Sequence, residues 1–163
     1  MLSVRRIRSG EADLFKKLRL QALKESPEAF GSSYEETAQR SAESWVNQVE
    51  SSALGSDRAT AIAFQDDLPA GLAALYRMDN TPHMGELLQV WVSPEVRGQG
   101  VAGALIDTLF DWASGNNFKT IVVGIISGNE QAVHFYEKYG FSAAEGISVG
   151  CPAGSLVLTK EIK

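Results

Sequence analysis

The chain has 163 residues, 44% hydrophobic and 21% charged, the size and composition of one soluble globular domain with a core of its own. Fifteen basic residues against twenty acidic ones leave a formal net charge of −5, which argues against a general nucleic-acid binder, since that would need a basic face. The single cysteine, Cys151, excludes an internal disulfide and fits a reducing, cytoplasmic setting; it and the two histidines lie too far apart for metal-ligand spacing, the opening stretch lacks a leader-like apolar segment, and no window approaches the ~18 apolar residues of a membrane span.

VRRIR, residues 4–8, reads as a short strand with Arg5, Arg6 and Arg8 on its solvated side. From Ser9 or Gly10 to about Lys24 the period becomes helical, with Leu14, Leu18 and Ala22 on one face and Phe15 beside them. Residues 25–41 carry Pro27 and several turn formers and read as a loop or broken helix. Ser41 then caps a second helix whose apolar face holds Ala42, Trp45, Val46 and Val49. ATAIAF (59–64) and AGLAALYRM (70–78) read as two strands joined by QDDLP. After a further turn, DNTPHMG, the β-prone run ELLQVWV (86–92) stops at Ser93 and Pro94. A helix is predicted from Gly98 to about Ala113, its stripe made by Val101, Leu105, Leu109 and Trp112. Residues 119–126 read as a buried strand, and Asn129 caps a last helix with Ala132, Phe135, Tyr136 and Tyr139 on one face. Gly140 suits a left-handed helix end with Phe141 folding back. Two closing strands are predicted around Cys151 and Pro152, while His83 and His134 read as ordinary surface residues. The order predicts a single domain over 1–163 of the α/β class (α+β): a central, mostly antiparallel mixed sheet with one parallel strand–helix–strand crossover, flanked by about four helices.

The stretch Gly98-Gln99-Gly100-Val101-Ala102-Gly103 reads G-x-G-x-x-G, the spacing of a dinucleotide-binding turn. That fold would place an acidic residue at the end of the next strand, yet no Asp or Glu follows until Glu130, and the loop comes after several strands instead of opening the domain. No Gly-Lys-Ser/Thr is present for a Walker loop either. What survives is physical: glycines ahead of a helix let backbone N–H groups approach an anion, the helix N-terminus adds partial positive charge, and Arg97 adds a full one. Local pattern leaves two readings open, a pyrophosphate cradle and a tight strand-to-helix turn with no ligand.

The wider stretch LLQVWVSPEVRGQGVAGALI resembles the acetyl-CoA-binding motif of the GNAT superfamily of N-acetyltransferases, with Arg97, Gly100 and Ala102 on its fixed positions. NEQAVHFYEKYGF resembles the second motif of that family, and the order and separation of the two also fit. The resemblance implies a GNAT-like fold with acetyl-CoA as co-substrate and no metal. It places Val90, Trp91 and Val92 beside the pantetheine arm and acetyl group, Arg97, Gly98, Gln99, Gly100, Val101, Ala102 and Gly103 at the pyrophosphate, and Asn129 near the cofactor. The implied partner is a small-molecule amine or a protein amino group, and a homodimer is compatible with it.

The implied reaction is direct attack of an amine on a thioester. An alkylamine, with a pKa near ~10, must lose a proton, and a thiolate, with a pKa near ~8.5, leaves better when protonated. The resemblance makes Tyr136 the general acid, with core packing as the plainer alternative. It makes Glu86 the candidate base, on a face shared by period two with Leu88, Val90 and Val92; an exposed strand-end carboxylate is the alternative. Tyr34 and Glu35, with Glu36, fall where members of the family line the acceptor pocket, against the reading of a solvated acidic turn. Two other functions fit the same sequence: a non-catalytic CoA-binding regulatory module and a plain interaction domain.

Overall fold

The computed structural model describes residues 1–27, 33–126, 128–144 and 156–162. Cys151, Pro152 and much of the predicted closing strand pair lie outside these residues, as does part of the loop after the first helix. Among the described residues the strands form one seven-stranded sheet in the order β1-β2-β3-β4-β5-β7-β6. They are β1 (Leu2–Arg6), β2 (Arg58–Gln65), β3 (Leu68–Met78), β4 (Thr81–Val92), β5 (Thr120–Ile125), β6 (Ser142–Ala143) and β7 (Leu156–Glu161). The helices are α1 (Ala12–Glu25), α2 (Tyr34–Ala38), α3 (Ala42–Leu54), α4 (Val101–Ser114) and α5 (Glu130–Lys138). All neighbouring strands run antiparallel except β4 and β5, which are parallel, so the predicted crossover through α4 is present. No described helix is long and apolar enough to cross a membrane.

The sheet is covered on both faces. Leu75, Leu87, Leu105, Leu109, Ile121 and Tyr136 bury one face under α4 and α5. Phe15, Leu18, Trp45, Val49, Leu72 and Trp91 bury the other under α1 and α3. Covering both faces explains why β2 and β3 read as continuous apolar runs instead of alternating ones. The β2–β3 hairpin turns on Asp66 and Asp67, with φ of 51° and 69°, a pair of left-handed residues whose twist matches the strands.

Several boundaries differ from the sequence expectation for local reasons. Strand β4 starts at Thr81, so most of the predicted DNTPHMG turn is strand and only Asp79 and Asn80 turn the chain. Helix α4 starts at Val101, because Gly98 and Gly100 take left-handed φ of 81° and 82° and a short 3-10 turn, Pro94–Val96, precedes them. Ser41 caps α3 as expected, its side chain accepting from the Ser44 N–H at 3.1 Å. The buried face of α3 is Trp45, Val49 and Ser52; Ala42 and Val46 rotate away from the sheet and are exposed. Arg5 and Arg6 are engaged instead of solvated. Arg5 makes a two-pronged ion pair with Glu11, both contacts 2.8 Å, and Arg6 donates to the carbonyls of Ser52 and Gly55 at 2.8 and 2.6 Å.

Two irregularities of β4 shape everything that follows. Against β3, Leu72 pairs with Trp91 but Ala74 pairs with Leu88, so three steps on β4 oppose two on β3. The extra residue is a β-bulge at Gln89, whose φ is 60°. A bulge reverses which side chains face which way. Glu86 and Leu88 therefore share the α1/α3 face with Tyr76, Ala74 and Trp91, while Val90 and Val92 pack on the α4/α5 side. The expectation that Glu86 shares a face with Val90 and Val92 is corrected accordingly. Against β5, pairing runs from Met84–Thr120 to Leu87–Val123 and then ends, although both strands continue.

Candidate active site

Beyond Leu87 and Val123 the two parallel strands part, and the space between them opens into a cleft of about 840 Å³. One wall is Val90, Trp91 and Val92 of β4; the other is formed by Ile126, Gly128 and Asn129 after β5, with Tyr136 of α5. Its end is Arg97, Gly98, Gly100, Val101, Ala102 and Gly103 at the start of α4. Every residue expected beside the cofactor thus lines one cleft, with the exception of Gln99, which does not line it. Gln131, Ala132 and Phe135, all within the NEQAVHFYEKYGF stretch, also line it, as does Ser26, for which the sequence carried no separate signal.

The α4 end has the properties of an anion cradle. The first helical hydrogen bond runs from the Ala104 N–H to the Gly100 carbonyl at 3.1 Å. The N–H groups of Val101, Ala102 and Gly103 precede it, and the N-cap residue, Gly100, has no side chain to cap them. A Cβ built on Gly98 or Gly100 would meet nothing within 4 Å, so the surface there is open and would be filled by any side chain. The left-handed φ of both residues makes glycine the fitting choice. Gly103 has a different need for glycine: a Cβ there would lie 3.2 Å from the Tyr139 hydroxyl, which donates to the Gly103 carbonyl at 2.8 Å and holds α5 against α4.

Arg97 stands at the mouth of the cleft. Its Nε donates to the Val92 carbonyl at 2.9 Å and its Nη2 pairs with Glu25 at the end of α1. Glu25 also accepts from the Trp91 indole at 2.9 Å and from Ser26. The hydrogen bonds from Ser26, Trp91 and Arg97 hold its carboxyl below the usual carboxylate range. The ordered contacts fix β4, α1 and the glycine turn to one another at the cleft entrance.

Asn129 acts as the expected cap, its side-chain oxygen accepting from the Ala132 N–H at 3.2 Å, which sets the start of α5 at the cleft. About two turns later, Tyr136 is 6% exposed and lines the cleft. Its ring packs edge-on against Phe135 and Phe141, at 5.1 and 5.4 Å between centroids. Gly140, at φ 102°, ends the helix, and Phe141 folds back with its N–H on the Tyr136 carbonyl at 3.0 Å, as predicted. Burial pushes the Tyr136 phenol pKa up, so the hydroxyl keeps its proton at neutral pH. It is both core and cleft wall, so the two sequence readings do not exclude each other.

Glu86 lies in the register just before the strands part, opposite Tyr76 on β3 and Val122 on β5. Its side chain faces the α1/α3 side of the sheet, the reverse of the cleft wall formed by Val90 and Val92, and its Oε2 is buried. Tyr34 and Glu35 open the short helix α2, capped by Ser33, and are exposed; neither lines this cleft nor a second cavity on the α3 side of the sheet.

A family model described as the acetyltransferase (GNAT) family matches residues 20–141. Solved structures share the whole fold at low identity. A GNAT-family acetyltransferase from Streptococcus pneumoniae is 18% identical with a TM-score of 0.81, covering 100% of both chains. The yncA protein from Salmonella typhimurium, solved with its cofactor acetyl-CoA, is 16% identical with a TM-score of 0.78 over 100% of this chain and 95% of that one. The paia N-acetyltransferase from Thermoplasma acidophilum, in complex with coenzyme A, is 16% identical with a TM-score of 0.76 over 99% of each. With its family match spanning both motifs and the split strands between them, this chain belongs to the GNAT acetyltransferase family.

Proposed function

We propose that the protein is an N-acetyltransferase, acting as one domain over residues 1–163 in the cytoplasm, that transfers the acetyl group of acetyl-CoA directly to a primary amine. The observation that carries this is the continuity of the cleft: the gap between β4 and β5 runs into the open, glycine-flanked start of α4. A long, thin thioester arm ending in a pyrophosphate matches those two parts in turn. Two proteins of the same fold were solved holding acetyl-CoA or coenzyme A, which supports the same ligand here.

Acetyl-CoA would supply the activated acyl group as a thioester. The first-turn N–H groups of α4, with Arg97, hold the pyrophosphate. The backbone of Val90 to Val92, freed from β5, pairs with the pantetheine amides as a missing strand would. Glu86 accepts the amine's proton, directly or through a water, from the acceptor side of the sheet. Tyr136, protonated and on the cleft side, donates its proton to the departing sulfur. The C–N bond forms as the C–S bond breaks, with one proton leaving the nitrogen and one reaching the sulfur.

A thiol-release assay across amine classes, run beside a calorimetric CoA titration, tests the reading. The expected result is CoA binding with amine-dependent release of thiol. Binding without release from any amine would overturn the enzymatic reading in favour of a CoA-binding module, and absence of binding would overturn both.

A further inference from the structure

On the α3 side of the sheet, α3 and strands β2 to β4 line a second, open hollow of about 590 Å³, within the size range of small-ligand sites. Arg40 and Arg58 line it, with Gln48, Tyr76 and Gln89. Both guanidiniums are held in place. Arg40 donates from Nε and Nη2 to the Ser44 hydroxyl at 3.0 and 2.8 Å and lies 4.1 Å over the Trp45 ring. Arg58 lies 4.5 Å over the Tyr76 ring, whose hydroxyl accepts from Gln48 Nε2 at 2.7 Å. Among the described residues neither forms an ion pair, although the carboxylate of Glu43 also lines the wall. A third guanidinium, Arg19, stands close enough to feel both Tyr76 and Arg40; burial, with help from Arg40, pushes its pKa down to about 10. Glu86, beside Tyr76 in register, is the carboxylate on the sheet floor. Two guanidiniums against one carboxylate in the lining, with Arg19 and Glu86 nearby, leave this hollow net positive in a chain of net charge −5.

Gln89 lines the hollow from β4. Among the described residues its Oε1 is buried and accepts no hydrogen bond, and its backbone is held left-handed in the bulge. A buried acceptor of this kind calls for an N–H donor, and strain retained in the backbone marks functional positions. The next residue, Val90, lines the cleft on the other face, so adjacent residues of β4 line the two cavities where the strand has already parted from β5.

We infer that the second cavity receives the acceptor, and that the acceptor is a small amino acid-like molecule: a primary amine whose carboxylate is bound by Arg40 and Arg58 and whose N–H is accepted by Gln89 Oε1. Planar guanidiniums match a carboxylate in geometry as well as charge. The inference rests on the acetyl-transfer reading above, because it treats the bulge as the place where nitrogen meets thioester.

The test uses products, which need no turnover. Ligand-observed NMR titrations, with and without CoA, compare the N-acetyl derivatives of the standard amino acids with their N-acetyl carboxamides. At least one free acid should bind tenfold or more tighter than its carboxamide, and Arg58→Gln and Arg40→Gln should each abolish that preference. Arg58 is exposed on β2, so its variant keeps the test valid even if loss of the Arg40–Ser44 contacts unfolds α3. Equal binding of acids and carboxamides, no binding of any acid, or a preference that survives Arg58→Gln would overturn the assignment. Thiol release from acetyl-CoA by amines, with no preference for acids, would leave the transferase reading standing and remove this one. Selective acid binding with no thiol release from any amine would leave a carboxylate site at Arg40 and Arg58 but would remove the transferase reading, and the acceptor role with it.

Discussion

At the scale of single residues, Tyr136 lines the cleft on the α4/α5 face and Glu86 lies on the opposite face of the sheet, just before the strands part. The proposed transfer would handle one proton on each face. Tyr136→Phe keeps the ring between Phe135 and Phe141 and deletes only the hydroxyl. If the hydroxyl protonates the sulfur, kcat falls about 100-fold, ~2.7 kcal/mol of transition-state stabilisation, with CoA affinity and Tm little changed. Near-normal turnover with a stability loss of ~1 kcal/mol would make Tyr136 a packing residue only. Glu86→Gln preserves shape and removes the proton acceptor. Turnover should drop at neutral pH and recover in part at alkaline pH, where the free amine is abundant; a pH–rate profile of unchanged height and shape would place the base elsewhere.

At the scale of elements, the β1–α1 corner depends on one carboxylate. Glu11 receives both prongs of Arg5 and the Arg8 N–H at 2.7 Å, and the Arg5 hydrogen bonds hold its carboxyl below the usual range. A depressed folded-state pKa means stability that is present above the unfolded-state value and lost as pH falls through the folded one. Glu11→Gln should therefore cost about 1 kcal/mol at neutral pH, and the gap between variant and parent in urea melts should close in acid as the parent's carboxyl is protonated. A gap constant with pH would mean that packing, not charge, is lost. Elements of this kind were readable from the sequence where periodicity or a cap marks them: Ser41, Asn129 and Gly140 all do what their residue types predict. The bulge at Gln89 was not. A glutamine within ELLQVWV gives no sign of a left-handed backbone, since nothing in an alternating pattern records that the partner strand is one residue short. That one residue decides which face Glu86 occupies, and it conceals the cavity under α3. Arg58 and Tyr76 meet through the β2–β3 pairing, and Arg40 joins them through the packing of α3 on the sheet.

At the scale of the molecule, the cleft joins pieces more than a hundred positions apart, from Ser26 to Tyr136, so a ligand filling it should tie the two halves of the sheet together. A ligand that binds only the folded state at about 100 times its Kd adds ~2.7 kcal/mol. For a chain of this length that corresponds to a rise in Tm of roughly 5–10 °C. The two parts of the cleft can be separated by truncating the ligand. Acetyl-pantetheine carries the arm and thioester but no pyrophosphate, so it occupies the strand gap and leaves the start of α4 empty. At equal concentration it should raise Tm by less than about a third as much as acetyl-CoA, because the helix N-terminus and Arg97 have nothing to hold. Gly100→Ala supplies the control. Its Cβ enters space that is open in the free protein and forces a side chain onto φ 82°, which costs about 1 kcal/mol of stability on its own. In that variant the advantage of acetyl-CoA over acetyl-pantetheine should shrink, while the response to acetyl-pantetheine stays as in the parent. Equal Tm shifts from the two ligands in the parent protein would show that the glycine turn is only a turn, and would move the phosphate site away from α4.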